Sequence, residues 1–71
     1  MADSPQRAIG LLDRLATELE GYHLFHAARA DLLRRIGALE EAAHSYKRAL
    51  TLVTNDSERR FLERRLREVQ S

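Results

Sequence analysis

The stretch IGALEEAAHSYKRAL, Ile36 to Leu50, decides the fold. Leu39, Ala42, Ala43, Tyr46, Ala49 and Leu50, continued by Val53, recur at helical spacing, while Glu40, Glu41, His44, Ser45, Lys47 and Arg48 fall on the other side. That pattern predicts a helix from Leu39 to about Val53 with one apolar face. Tyr46, flanked by small residues, is expected in the core against Ala8, Ala30 or their neighbours. A glycine, a leucine, two glutamates and then Ala-x3-Tyr-x2-Ala also read as half of a repeat unit.

Working outward, Gly37 closes a preceding helix that runs from Tyr22 to Ile36. Its apolar residues cover more than one stripe, so it should touch neighbours on two sides. Before it, Ser4 and Pro5 form a helix start, with the hydroxyl as cap and proline at the first helical position. Ala8, Leu12, Leu15 and Leu19 line one face of this first helix, and Gly21 is expected to end it in a left-handed cap. Glu18 and Glu20 oppose the dipole at its C-terminus and weaken the last turn. On the other side, Thr54-Asn55-Asp56 breaks the third helix. Asn55 starts a fourth, with Glu58 as its capping-box partner. Phe61, Leu62, Leu66 and Val69 make its apolar stripe.

Composition agrees. The 71 residues are rich in alanine, leucine, arginine and glutamate, with three glycines and one proline, as suits an all-helical domain. A chain this short is one domain that buries only about 60% of its unfolded surface. The expected layout is residues 1–4 as a disordered start or linker remnant, 5–69 as the domain and 70–71 as a tail. With no cysteine, disulfides and thiolate metal sites are excluded and a cytoplasmic setting is expected. No apolar run approaches the roughly 18 residues of a membrane span.

Shifting the sequence by about 34 residues, the length of a tetratricopeptide unit, places Ala42, Tyr46 and Ala49 on Ala8, Leu12 and Leu15. His23, opening the second helix, falls on Ser57, where the fourth begins. The central hairpin resembles the tetratricopeptide family in Gly37, Leu39, Glu40, Glu41, Ala42, Tyr46, Ala49 and Leu50. It departs from that family at His26, Ala30, Leu33 and Thr54. The expected fold is all-α: four helices in tetratricopeptide-like antiparallel hairpins, one full repeat flanked by half repeats.

Two further segments, GYHLFHAARADLLRRIG (Gly21 to Gly37) and ERRFLERRL (Glu58 to Leu66), bracket the repeat. With the hairpin they resemble the C-terminal extension of bacterial extracytoplasmic-function-type sigma factors, over roughly Leu11 to Val69. The resemblance implies a non-catalytic interaction or regulatory module cut from a longer protein, with Leu66 to Ser71 as its natural end. Its partner would be a protein or peptide, including other domains of the parent. RNA polymerase would be reached only through absent upstream domains. The alternative is a fragment of an unrelated tetratricopeptide scaffold with no transcriptional role. In the family, first helices of successive units line a concave groove. The matching positions here are Leu24, Ala27, Asp31 and Arg34, with Arg35 beside them. An apolar contact near Leu24 followed by an acidic group paired with Arg34 would suit such a groove, although Leu24 could instead pack on the first helix and Arg34 pair with Asp31. The orphan first helix should leave Ile9 and Leu11 exposed, a route to weak self-association.

Other chemistry is poorly provided for. His23, His26 and Asp31 lack the complete ligand set of a metal site, so no metal or other cofactor is expected. His26 is expected to be a packed, hydrogen-bonded histidine and His23 a half-exposed first-turn residue. No serine or threonine adjoins a histidine in an activating geometry, since the neighbours His44 and Ser45 point apart on a helix. Gly10, Gly21 and Gly37 are isolated and form no phosphate loop. An enzyme is not expected. Arg59, Arg60, Arg64, Arg65 and Arg67 invite a nucleic-acid reading, but acids interleave them, with Asp56–Arg60 and Glu63–Arg67 as acid-first pairs. The only aromatic there, Phe61, is assigned to the apolar stripe. A solvated helix without nucleic-acid binding is expected.

Overall fold

A computed structural model describes residues 5–14 and 16–70 of the chain. Five helical segments follow one another: α1 (Pro5–Arg14), α2 (Ala16–Leu19), α3 (His23–Arg35), α4 (Leu39–Leu52) and α5 (Asp56–Gln70). The described residues contain no strand, and the fold is all-α. The first helix expected from sequence corresponds to α1 and α2. Its predicted cap Ser4 and stripe residue Leu15 lie outside the described residues.

The two short connections set the architecture. Ile36 to Ala38 join α3 to α4, and Val53 to Asn55 join α4 to α5. Connections this short make consecutive helices antiparallel neighbours, so α3 and α5 run in the same direction on either side of α4. The α3–α4 interface is the most extensive, followed by α4–α5, and α1 packs on α3.

The turn after α3 is built as its sequence requires. Gly37 has φ of 82°, a conformation that costs other residues a steric penalty. The amide of Ala38 reaches back to the carbonyl of Leu33 at 2.9 Å, and that of Gly37 to Arg34 at 3.1 Å. These two bonds form a Schellman cap. Gly21 differs from expectation, because Gly37 is the only glycine with positive φ among the described residues. The α2–α3 turn is closed instead by the Tyr22 amide on the Leu19 carbonyl and by His26, whose Nε2–H donates to the Glu20 carbonyl at 2.7 Å. At α5 the side-chain oxygen of Asn55 accepts from the Glu58 amide at 3.0 Å, an N-cap.

The core lies between α3, α4 and α5. Ala30, Ala42 and Ala49 are completely buried around Tyr46, which is 1% exposed, and Leu33, Ala43, Val53, Leu62 and Val69 complete the cluster. Ile9, expected at the surface, packs half-buried against this cluster. The face of α1 turned to α3 is wider than the Ala8–Leu12 stripe alone. Leu11 is exposed, as expected. On α4, Leu39 is more exposed than its stripe implies and Ser45 is buried rather than solvated. Because α4 is flanked on both sides, its buried arc extends round to Ser45, whose oxygen accepts from Arg29 Nη1 at 3.1 Å.

Tyr46 allows two contributions to be separated. Tyr46→Ala should cost about 3–5 kcal/mol in a urea titration, the range for a large buried aromatic. Its hydroxyl is buried without a hydrogen-bond partner, so Tyr46→Phe should lose no more than about 0.5 kcal/mol and could gain stability. A large loss in Tyr46→Phe would show that the hydroxyl is bonded in solution.

Candidate functional site

α3 and α5 meet their common neighbour α4 along its two sides, and a shallow hollow is left between them. His23, Leu24 and Ala27 of α3 line it, facing Glu58, Phe61 and Leu62 of α5, around a volume of about 130 Å³. Leu24 is 64% exposed and Phe61 48% exposed. Leu24 therefore does not pack away on the first helix. The hollow is roofed at one end by a bond from His23 Nε2 to Glu58 Oε1 at 2.8 Å.

This bond corrects the expected capping box. The amide of Glu58 is capped by Asn55, but its carboxylate reaches across to α3 instead of back to the Asn55 amide. Phe61 is corrected too. It stands at the edge of the α5 stripe, where Leu62 and Val69 take the buried positions, and the Arg65 guanidinium lies 5.2 Å from its ring centroid. Such a contact is a weak cation–π interaction at an exposed site.

Of the residues singled out from sequence, Leu24 and Ala27 line the hollow. Asp31, Arg34 and Arg35 lie about two to three turns beyond Leu24 along α3, roughly 10 Å or more at helical rise. There Arg34 Nη2 donates to Asp31 at 2.6 Å, and Arg35 Nε sits 3.5 Å from the other Asp31 oxygen. Two guanidinium groups thus share one carboxylate. The Arg34 guanidinium is held above its ordinary pKa, first by Asp31 and then by the nearby Tyr46 hydroxyl. That hydroxyl approaches Arg34 without reaching hydrogen-bond geometry, so Asp31 is the partner that matters.

The residues missed from sequence were His23, Glu58, Phe61 and Leu62 as groove walls. A signal for one of them existed. The repeat shift that maps His23 onto Ser57 also maps Ala27 onto Phe61, Asp31 onto Arg65 and Arg34 onto Glu68. The two walls carry matching i,i+3 ion pairs of opposite order: Asp31–Arg34 on α3 and Arg65–Glu68, at 3.1 Å, on α5. On α5 the Arg59 guanidinium also lies 3.9 Å from Asp56, three residues before it.

His26 is 6% exposed and hydrogen-bonded, and His23 is half-buried at the start of α3, both as expected. Among the described residues no group of three His, Cys, Asp or Glu side chains is placed to hold a metal ion. No helix of the described residues is long and apolar enough to cross a membrane.

No family model matches the chain, and no solved structure matches it. An uncharacterized protein of Rhizobium meliloti (strain 1021) is 33% identical over 64 residues, a stretch covering 90% of this chain. The same stretch spans only 15% of that protein. The similarity is to one part of a much longer polypeptide.

Because Leu24 is mostly and Phe61 about half exposed, replacing each with serine should cost no more than about 1 kcal/mol, well short of a core substitution. Guanidinium titrations of the single and double variants check this. A loss approaching that of a core substitution would mean the hollow is closed in solution.

Proposed function

We propose that this chain is a non-catalytic protein-interaction module, the tetratricopeptide-like C-terminal part of a bacterial sigma factor of the extracytoplasmic-function type, working in the cytoplasm. The observation that carries the interaction role is the open apolar hollow between α3 and α5. Two large side chains, Leu24 and Phe61, stand exposed on facing helices. Exposed apolar groups gathered at one place, rather than scattered singly, mark binding surfaces.

The tetratricopeptide-like reading draws support from helices packed in chain order and from fully buried small residues, Ala30, Ala42 and Ala49, at the crossings. It also draws on the repeat register that relates Asp31–Arg34 to Arg65–Glu68. Similarity to a short part of a much longer protein accords with a module that serves other domains. The partner segment would place an apolar side chain between Leu24 and Phe61 and an acidic group near Arg34 and Arg35, whose two charges share Asp31. The hollow is small, so affinity for an isolated peptide would be weak. Leu11, exposed on α1, offers a second route to contact, including weak self-association.

The test is made in the full-length parent protein. Leu24→Ser with Phe61→Ser, and separately Arg34→Glu with Arg35→Glu, should reduce partner capture and alter its regulated transcription output by roughly tenfold, the loss of about 1.4 kcal/mol of binding. Wild-type capture and output in both variants, with folding intact, would overturn the assignment of the site.

A further inference from the structure

Only two polar side chains are buried among the described residues, His26 and Ser45. Both line the same cleft, an open space of about 550 Å³ between α1, the α2–α3 turn, α3 and α4. Buried polar groups are more informative than exposed apolar ones. Here they mark the seam by which α1 and α2 are attached.

The seam carries a row of polar contacts beside the half-buried apolar residues Ala8, Ile9 and Leu12 of α1. Arg29 of α3 donates through Nε to Asp13 of α1 at 2.9 Å and through Nη1 to Ser45 of α4. Arg48 of α4 reaches the Glu20 carboxylate at 3.2 Å, and His26 holds the Glu20 carbonyl. The main apolar cluster, by contrast, is formed by residues of α3, α4 and α5 and by Val53 after α4. Among the described residues of α1, the half-buried Ile9 joins it. No described side chain of α1 or α2 is fully buried.

Asp13 and Glu20 are each more than half exposed. Ion pairs of that kind contribute roughly 0–1 kcal/mol apiece and weaken with salt. Among the described residues, the three-helix core is thus held by fully buried apolar side chains, whereas α1 is attached by half-buried ones and by exposed ion pairs.

We propose that α1–α2 is a releasable strap over a second docking face, and that the strap occupies this face as an acidic ligand would. When it leaves, Asp13 and Glu20 leave with it. Arg29 and Arg48 then lose their carboxylates beside Phe25 and His26, with His44 at the rim. The uncovered face is cationic and aromatic. It fits an acidic amphipathic helix, and the strap, with its Ile9–Leu12 apolar residues and its acids at Asp13, Glu18 and Glu20, shows the chemistry required. This face lies apart from the α3–α5 hollow and does not depend on it.

The whole chain is tested by native-state hydrogen exchange, with the α4 amides as internal control. In the wild type, α1 amides should exchange at least roughly tenfold faster than α4 amides, the sign of sub-global opening. Raising salt from about 0.05 to 0.5 M should increase the α1 rate several-fold and leave α4 unchanged. A second arm uses Asp13→Lys with Glu20→Lys and, as probe, a synthetic peptide of residues 5–20. The variant should bind this peptide roughly tenfold more tightly than wild type does, because its own strap no longer competes. Equal protection of α1 and α4 in the wild type at both salt concentrations would overturn the strap, since it would make the chain one cooperative unit. Equal peptide affinity in a variant whose α4 protection is retained would overturn the docking face.

Discussion

The close approach of three helices around one phenol ring governs the rest of the structure. Tyr46 projects from α4 into a space walled by Ala30, Ala42 and Ala49, each without any exposed surface. A larger side chain at any of these positions would have to displace a helix, because interiors are packed to crystal-like density and do not absorb added volume. Leu33 from α3 and Leu62 and Val69 from α5 close the remaining sides. Both flanking helices are thereby fixed to α4, and their separation from each other follows. The hollow between Leu24 and Phe61 is the surface left over. It is spanned by the His23–Glu58 bond, which lies on its margin, so the shape offered to a partner is inherited from the core.

What could be read in the sequence were the features whose cause is local. The period of Ala42, Tyr46 and Ala49, the left-handed turn at Gly37 and the cap at Asn55 depend on residues within a few positions of one another, and all are present. What escaped depends on neighbours distant in the chain. Ser45 looked solvated because it lies off the α4 stripe, but Arg29 comes to it from α3. Glu58 had a local partner at Asn55 and took a distant one at His23. Phe61 looked like core because Phe61, Leu62, Leu66 and Val69 together fit a helical stripe. A narrow stripe cannot say which edge residue is left outside, and the contact with α4 selects Leu62. Gly21 needed no special conformation, since the His26 side chain closes that turn. The candidate site was thus half legible: the α3 wall came from matching repeat positions, whereas the α5 wall required the helices to be assembled.

A shift of about 34 residues carries Ala30 and Leu33, buried on α3, onto Arg64 and Arg67 of α5. Positions that on α3 seal the hairpin with α4 are therefore occupied on α5 by guanidinium groups, and Arg64 and Arg67 are exposed. The opposite side of the described chain is finished differently. There α1 packs on α3 with Asp13–Arg29 beside the half-buried Ile9, and the turn after α2 is tied to α4 by Glu20–Arg48 and to α3 by the His26–Glu20 bond. Exposed ion pairs of this kind can be exchanged for others while the buried cluster around Tyr46 stays intact, whereas the hollow between α3 and α5 stands open without any helix moving.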